Sequence, residues 1–418
     1  MTNSRQAAAL ALTGGLAGAV LAVLDRDGEE ARVVGGAVRN VLLGVPQGEI
    51  DIATTALPDE VVRRATAAGF RPVATGIEHG TVTVVADGVP FEVTTLRQDI
   101  ETYGRRAKVV FGRDWRLDAL RRDFTINALS LARDGTVYDY VGGRADLAAH
   151  RVRFIGDPAT RIAEDYLRIL RFFRFHAIYG AGAPDPAGLA AGIRARGGIE
   201  SLSRERVRME LVKLLTAPRA GPTLAVMTEA GILGPVLGGV PLLASFAQME
   251  AIETVSDLGT DACRRLGALA VFIVEDAERL SERLRLSNAE TERLASMAQA
   301  WWRLPAAVAD ERALRALLYR LGEQRFVDRM TLAWSRTPAD ASDPVWRRAV
   351  ALPRRWQPPP FPLKAADLIV RGVAKGPALG RALAAAEEAW VAADFPSEAA
   401  TIAAIADAVV GSKPERRA

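Results

Sequence analysis

The pattern of apolar residues changes once along the chain, near residue 155, and this change limits the folds that the sequence can adopt. Before that point, short runs typical of β-strands alternate with turns. These runs are Arg32–Val34, Ile50–Ala53, Thr81–Val85, Phe91–Thr94 and Val137–Tyr140. After about residue 158, apolar residues recur at helical spacing, as in Asp165–His176 and Val207–Leu215. The sequence therefore predicts an α+β fold, with a mixed sheet in an N-terminal head and an all-α C-terminal half.

Glycine and proline mark the internal boundaries. Asp87-Gly88 lies between two alternating runs and predicts a hairpin turn. Breaks between helices are indicated at residues 180–188, 217–222 and 353–362. A chain of 418 residues is long enough for several domains. We predict three domains, which are a head over residues 1–150, a helical neck over 151–222 and a helical body and tail over 223–418.

Cysteine, histidine and hydrophobicity exclude several classes of protein. The chain has one cysteine, Cys263, so we expect no internal disulfide and no disulfide-linked partner. His79, His150 and His176 show no metal-ligand spacing, so a metal ion must be held by carboxylates. The apolar stretch Ala7–Leu24 is alanine-rich and broken by glycine, which predicts a buried or amphipathic helix and not a membrane span. We expect a cytoplasmic protein without membrane contact.

The charge is locally concentrated. The net charge of +4 is too small to indicate nucleic-acid binding by itself. Residues 97–122 alone carry a net charge of +4, as large as that of the whole chain. This predicts a mobile basic loop that organises a triphosphate and a primer. The alternative interpretation is an ordinary solvated loop. Its basic residues are Arg97, Arg105, Arg106, Lys108, Arg113, Arg116, Arg121 and Arg122, and its acidic residues are Asp99, Glu101, Asp114 and Asp118.

A predicted strand followed by two glycines suggests a phosphate site. In Val34-Gly35-Gly36-Ala37-Val38-Arg39 the strand ends as a helix begins. Backbone N–H groups at such a turn, together with the helix dipole, favour a polyphosphate, and Arg39 adds charge one turn later.

Two acidic residues follow at strand spacing. In Glu49-Ile50-Asp51 the carboxylates face the same side if the segment is extended. Convergent carboxylates beside a phosphate cradle are what two Mg²⁺ ions require. The alternative is a polar edge strand after a tight turn. Glu92 supplies a third carboxylate if its strand neighbours that of Asp51, and otherwise it is an outward-facing glutamate.

Asp165 and Arg168 are three residues apart and predicted to share a helix face. A carboxylate acceptor beside guanidinium donors matches the pairing edges of cytosine and adenine, whereas uracil and guanine present the reverse order of donors and acceptors. An intrahelical salt bridge is the alternative interpretation of this pair.

Taken together, these residues resemble those of the class II tRNA nucleotidyltransferases and their bacterial poly(A) polymerase relatives, in the polymerase-beta-like superfamily. The resemblance extends over residues 30–215. It rests on Gly35-Gly36-Ala37-Val38-Arg39, Glu49-Ile50-Asp51, Glu92-Val93-Thr94-Thr95, Arg121–Ala128, Asp139-x-x-Gly142-Gly143-x-x-Asp146-Leu147, Glu164-Asp165-x-x-Arg168 and Arg206-x-x-x-Glu210.

The resemblance implies an enzyme that adds C, C and A to tRNA 3′ ends from CTP and ATP without a nucleic-acid template. It implies that Glu49 and Asp51 hold two Mg²⁺ ions, and that Gly35, Gly36 and Arg39 cradle the phosphates. By the same resemblance, Arg122 and Asp123 hold the ribose, Asp165 and Arg168 read the base, Arg171 and Arg174 reinforce the pocket, and the helical C-terminal half binds the acceptor arm and elbow of tRNA.

The sequence departs from the family pattern at Glu49, where the family normally has aspartate. Glutamate keeps the charge but moves the oxygens by about 1.5 Å unless the backbone compensates. A catalytically weak RNA-binding protein therefore stands as one alternative to CCA addition. Poly(A) synthesis stands as another, because the same type of head serves both reactions.

Overall fold

The computed structural model describes residues 3–46, 48–77, 80–103 and 106–411, which lie in two compact units. The first unit spans Met1–Gly238 and the second Gly239–Ala418. The first unit joins the predicted head and neck, so the assignment of three separate domains stays a prediction. His79 and Arg105, which the sequence singled out, lie outside the described residues.

The strands of the first unit form two sheets. The strands are β1 (Ala31–Val34), β2 (Asp51–Thr54), β3 (Arg71–Gly76), β4 (Thr81–Ala86), β5 (Val89–Thr95), β6 (Arg97–Tyr103), β7 (Arg106–Phe111), β8 (Ser130–Leu131) and β9 (Val137–Tyr138). The main sheet has the order β3-β4-β5-β2-β1-β8-β9, and β6 pairs with β7 in a second sheet. The main sheet is mixed because β2 and β5 are parallel while the other neighbours are antiparallel. The predicted mixed sheet is confirmed.

Two hairpins show how local sequence sets the strands. Asp87 and Gly88 have φ angles of 47° and 80°, the left-handed pair that a two-residue hairpin turn requires. The predicted hairpin is therefore confirmed. The prediction of a loop over 97–122 is wrong for its first part, because β6 and β7 pair there as antiparallel strands. Val109, Val110 and Phe111 are residue types that favour such strands.

Helices early in the chain pack against the main sheet of the first unit, which has twelve α-helices in its described residues. They are α1 (Asn3–Leu12), α2 (Gly15–Leu24), α3 (Gly36–Leu43), α4 (Pro58–Ala67), α5 (Trp115–Leu120), α6 (Gly143–Ala148), α7 (Pro158–Glu164), α8 (Leu167–Tyr179), α9 (Pro186–Ala195), α10 (Arg204–Leu215), α11 (Ala220–Glu229) and α12 (Leu233–Leu237). The apolar N-terminal stretch forms two helices and not one, since Gly15, the first residue of α2, adopts a φ of 52°. No helix of the described residues is long and apolar enough to cross a membrane.

Within its described residues, the second unit has helices and no strands, so the predicted all-α half is confirmed. Its helices are α13 (Leu243–Val255), α14 (Ala262–Ala270), α15 (Val274–Leu284), α16 (Asn288–Ala298), α17 (Leu304–Ala307), α18 (Glu311–Trp334), α19 (Pro344–Val350), α20 (Leu352–Arg355), α21 (Ala365–Ile369), α22 (Pro377–Ala392) and α23 (Ala399–Gly411). The core around α18 and α19 contains the fully buried Phe326, Met330 and Trp334. Trp346 stacks on Trp334 with ring centroids 6.0 Å apart. This aromatic packing fixes α19 against α18.

Candidate active site in the first unit

A glycine corner connects β1 to α3. Gly35 has a φ of 70° and a ψ of −124°, a conformation that a side chain makes costly. Its N–H donates to the Leu129 carbonyl at 3.1 Å, and its carbonyl accepts from the Arg39 N–H at 3.1 Å, which begins the helix. A β-carbon at this position lies 3.2 Å from Nη1 of Arg122. Glycine therefore allows both the turn and the close approach of Arg122.

Asp51 and Glu92 lie side by side next to this corner. In the parallel pair β2 and β5, Asp51 is in register with Glu92, and across the antiparallel pair Asp51 faces Val34. Residues in register on neighbouring strands point to the same face of a sheet, and both of these carboxylates are exposed. The sheet therefore brings Glu92 beside Asp51. Glu49 is also exposed, but it precedes the first residue of β2 and is not part of the strand as the sequence pattern predicted.

The carboxylates create a region of concentrated negative charge. Desolvation and the charge of Glu92 raise the pKa of Asp51, Glu49 adds to this effect, and Arg122 acts against it. Within the described residues, no group of three or more histidine, cysteine, aspartate or glutamate side chains has the arrangement of a metal site. The register thus supplies neighbouring carboxylates, but it does not supply a complete set of ligands from protein alone.

Arg122 is held in place by a buried acid. Its Nη2 lies 3.2 Å from Oδ2 of Asp118, and its Nη1 donates to the Asn127 carbonyl at 3.3 Å. The same Asp118 accepts from Nε of Arg121 at 2.7 Å. The side chain of Arg122 remains partly exposed, so it presents a fixed positive charge near Asp51.

Arg39 occupies a different environment from the one predicted. It is 7% exposed, and its Nη1 donates to Oδ1 of Asn127 at 2.5 Å while Nη2 donates to the Tyr179 hydroxyl at 2.6 Å. Asn40 accepts from its Nε at 3.2 Å. Arg39 joins α3 to α8 inside the first unit, so the geometry does not support its predicted contact with phosphate.

Asp123 lies at the centre of a second network. Its Oδ2 accepts from Nε and Nη2 of Arg171 at 2.8 and 2.6 Å. Its Oδ1 accepts from the Phe124 N–H at 2.9 Å and from Nδ2 of Asn127 at 3.0 Å. Although burial raises the pKa of Asp123, the charge of Arg171 and these hydrogen bonds lower it overall. Both oxygens therefore already have protein partners, which leaves little capacity for the predicted contact with ribose.

The same network continues across two helices. Arg171 of α8 lies 3.6 Å from Oε1 of Glu210 on α10, and Glu210 also accepts a hydrogen bond from Nε of Arg174. Glu210 is buried, so its two arginine partners offset the cost of burying its charge. Arg171 and Arg174 thus brace α8 against α10.

Asp165 and Arg168 do not form the salt bridge that was the alternative interpretation, and they do not share a helix face. Asp165 ends α7 in an extended conformation and precedes α8. Its Oδ2 accepts from Nη2 of Arg206 at 2.5 Å. Arg168 instead donates from Nη1 to Glu164 and to the Arg161 carbonyl. In the described part of the chain, Nε and Nη2 of Arg168 have no hydrogen-bond partner.

The structure identifies several supporting residues to which the sequence assigned no role. Asn127 connects Arg39 with Asp123, Asp118 holds Arg122, and Glu164 holds Arg168. All lie close to predicted site residues in the chain. Their roles depend on which side chains the fold brings within hydrogen-bonding distance. In the sequence, the only sign of these roles was that each is a polar residue within or beside a motif.

The motif around Gly142 has a structural role. Both carboxylate oxygens of Asp139 accept backbone N–H groups, from residues 141–144, at 2.9 to 3.1 Å. A β-carbon on Gly143 lies only 2.2 Å from the Thr125 carbonyl. Asp146 is fully buried and accepts from the Thr125 hydroxyl at 2.6 Å. These contacts fix the turn that carries Asn127.

Comparisons with known proteins agree with this arrangement. Residues 31–153 match the Poly A polymerase head domain, and residues 188–246 match a segment described as a probable RNA and SrmB- binding site of polymerase A. The human mitochondrial CCA tRNA nucleotidyltransferase 1 is 32% identical over 376 residues, which cover 89% of this chain and 85% of the human protein. The chain belongs to the tRNA nucleotidyltransferase and poly(A) polymerase family.

Bacterial members of the family are equally similar. The CCA-adding enzyme of Limosilactobacillus fermentum is 34% identical over 87% of this chain and 89% of its own length. The crystal structure of the Bacillus stearothermophilus CCA-adding enzyme in complex with CTP superposes with a TM-score of 0.72 at 28% identity, over 93% of this chain and 96% of that chain. The predicted resemblance to the family is confirmed.

Proposed function

We propose that this protein adds C, C and A to the 3′ end of tRNA, using CTP and ATP and releasing pyrophosphate. The observation that carries the proposal is the pair Asp51 and Glu92, in register beside the Gly35 corner and the fixed charge of Arg122. Relatives that match almost 90% of the chain are named for CCA addition, which favours this reaction over poly(A) synthesis.

The carboxylates fit divalent metal ions. Glu49 and Asp51 would hold two Mg²⁺ ions, with Glu92 as a further ligand and with the remaining positions left to triphosphate oxygens and water. Burial and the charges of Glu92 and Glu49 raise the pKa of Asp51 despite the opposing charge of Arg122, and a bound cation would offset these unfavourable contributions. When bound, such ions lower the pKa of an attacking hydroxyl and stabilise the charge on the transferred phosphoryl group.

The glycine corner and Arg122 would bind the triphosphate. Gly35 and Gly36 allow the backbone to approach phosphate oxygens closely, and the partly exposed Arg122 supplies the positive charge. The occupied oxygens of Asp123 favour an indirect role for this residue, in which it positions Arg171 and Asn127. Arg39 and Arg174 likewise act through the packing of α8.

Asp165 and Arg168 would select the base. Arg206 holds Asp165 from one side, and Glu164 holds one nitrogen of Arg168, so that Nε and Nη2 of Arg168 can donate to a base. Cytosine and adenine both offer an amine donor beside a ring-nitrogen acceptor, which such a pair matches. A buried mispaired group costs about 1–3 kcal/mol, enough to disfavour GTP and UTP.

The second unit would bind the acceptor arm and elbow of tRNA by shape and phosphate contacts. A relative from Thermotoga maritima is known in complex with tRNA, and 96% of this chain superposes on it with a TM-score of 0.70. At 17% identity this likeness concerns the fold alone. A cytoplasmic location also stays a prediction.

The test is nucleotide incorporation. The full-length protein is incubated with Mg²⁺, each labelled NTP separately, and a tRNA transcript that lacks its 3′ terminal C, C and A. We expect CMP to be added first and AMP only after two CMP residues. Long runs of AMP without CMP would instead identify a poly(A) polymerase. No transfer by the wild type, together with transfer by Glu49→Asp, would identify a catalytically weak relative.

A further inference from the structure

A groove in the second unit is lined by arginines on one side and by apolar side chains on its floor. One cavity, of about 520 Å³, lies between the start of α18 and α19. A second, of about 390 Å³, lies between the end of α13 and the corner where α19 meets α20. Both are lined by Pro344 and Arg348, so the two depressions adjoin each other and are treated together as one groove. Its cationic residues, here called the arginine groove, are Arg347, Arg348, Arg354 and Arg355.

The arginines of the groove are presented by a rigid support. Trp346, Ala349 and Val350 of α19 are buried in the core, whereas the neighbouring Arg347 and Arg348 point outward. Arg354 donates to the Asp257 carbonyl at 2.7 Å and Arg355 to the Arg348 carbonyl at 3.0 Å. Because these side chains are already positioned, a ligand loses little of its binding free energy to ordering them.

The groove carries an excess of positive charge. Its four arginines face two carboxylates, Glu311 and Asp257. The Arg347 side chain forms no hydrogen bond or ion pair in the part of the chain that the structure describes, and the Arg348 side chain is 71% exposed. Apolar floor residues such as Val308, Val345 and Leu258 leave room for ribose rings between charged contacts. This combination fits a nucleic-acid backbone better than a small anion.

The carboxylate of Glu311 lies where three arginine side chains converge in the groove. Its Oε2 lies 2.9 Å from Nη2 of Arg348 and 3.6 Å from Nη1 of Arg355, and its Oε1 lies 3.0 Å from Arg315. One carboxylate thus faces three guanidinium groups, an arrangement typical of a phosphate. The Glu311 side chain is partly exposed and the Arg348 side chain largely so, which allows water and a competing anion to reach this pair.

We propose that the arginine groove binds successive phosphates of the RNA backbone, and that Glu311 is an internal competitor that an RNA phosphate displaces from Arg348. This inference rests on the proposed function, because it takes tRNA as the ligand. It adds a defined contact surface and a residue that weakens RNA binding. Such a competitor keeps binding weak enough for the product tRNA to dissociate.

The test measures the affinity of the full-length protein for a tRNA transcript lacking its terminal C, C and A, over a series of salt concentrations. Each neutralised phosphate contributes about 0.7–0.9 to the slope of log K against log salt. Arg347→Gln and Arg348→Gln should each weaken binding about four- to fivefold at about 0.15 M salt and reduce the slope by that amount. Arg381→Gln, on the exposed side of α22, is the matched control and should change neither value.

The decisive variant is Glu311→Gln. Since it frees Arg348 and Arg355 for phosphate, it should tighten tRNA binding about two- to fivefold and steepen the salt dependence. Adding Arg348→Gln should remove most of that gain. Thermal unfolding of each variant checks that the fold is retained, which is expected because exposed ion pairs contribute little stability.

Unchanged or weaker binding by Glu311→Gln would overturn the role of the competitor. Arginine variants that bind tRNA as Arg381→Gln does would overturn the site and leave the groove for a protein partner. Incorporation of CMP and AMP should be unchanged in the Arg381→Gln control. Failure of the wild type to incorporate nucleotides counts against the proposed function alone, because affinity is measured without nucleotide.

Discussion

The network around Asp123 allows a stability prediction that can be worked out from the structure. Replacing Asp123 with asparagine keeps the size of the side chain but removes its charge and turns one acceptor into a donor. That donor faces either the guanidinium of Arg171 or the amide of Asn127, which are both donors themselves. The change therefore breaks hydrogen bonds on at least one side.

The expected cost is about 2–4 kcal/mol of unfolding free energy. Breaking one partner of a buried ion pair typically costs ~3–5 kcal/mol. Arg171 is 31% exposed and Asp123 11%, so water partly compensates the freed guanidinium and lowers the expected cost by about 1 kcal/mol from that range. For a unit of this size, about 2–4 °C of melting temperature corresponds to each kcal/mol, which predicts a decrease of about 4–16 °C.

The stabilising contribution of Asp123 should depend on pH in a defined direction. The pKa of Asp123 is lower in the folded protein than its ordinary value of 3.8. Its stabilising contribution is therefore complete above about pH 5 and is lost as the pH falls through the folded-state pKa. The stability difference between wild type and Asp123→Asn should be largest at neutral pH and should shrink below about pH 4.

Urea unfolding followed by circular dichroism, together with hydrogen exchange of α8 and α10, measures the effect. Asp87→Asn is the matched control, because Asp87 lies in an exposed turn where asparagine tolerates the positive φ. A difference below about 1 kcal/mol at pH 7, or one that grows in acid, would refute the reasoning. Either result would mean that Arg171 and Asn127 find other partners in the folded state.

Three further predictions concern the site. Asp51→Asn should abolish nucleotide transfer while the protein stays folded. Glu49→Asp should retain or raise activity, because it restores the usual carboxylate of the family. An inert Glu49→Asp would mean that the backbone before β2 has adapted to glutamate. Asp165→Ala should let UTP and GTP compete with CTP while triphosphate affinity changes little, as measured by mixed-nucleotide incorporation. Gly143→Ala should lower stability by at least about 2 kcal/mol in thermal unfolding, because a β-carbon there overlaps the Thr125 carbonyl.

Local patterns in the sequence were sufficient to predict the strands, turns and helices that carry the site. The glycines at 35 and 36, the pair Asp87-Gly88 and the switch to helical periodicity each act within a few residues, so their structural consequences can be predicted without knowing the fold. The sheet containing β1, β2 and β5, the turn between β4 and β5, and the helical second unit are all confirmed.

The environments of charged side chains could not be predicted in this way. Arg39 was expected in an open phosphate cradle and is buried against Tyr179, 140 residues away along the chain. Asp165 was expected to share a helix face with Arg168 and instead contacts Arg206 on α10. An arginine side chain extends about one helical turn away from its own backbone, so its partner depends on which elements pack beside it.

The sequence by itself therefore determined the chemistry available at the site: neighbouring carboxylates, a glycine corner and an acid beside an arginine. Only the tertiary structure decided which of these groups remain free for substrate. It placed Glu92 beside Asp51 through a parallel strand pair that skips β3 and β4, and it used Arg39 and Asp123 to hold the framework together. Strand pairing and helix packing join residues that are distant along the chain, and this is why local patterns do not contain that information.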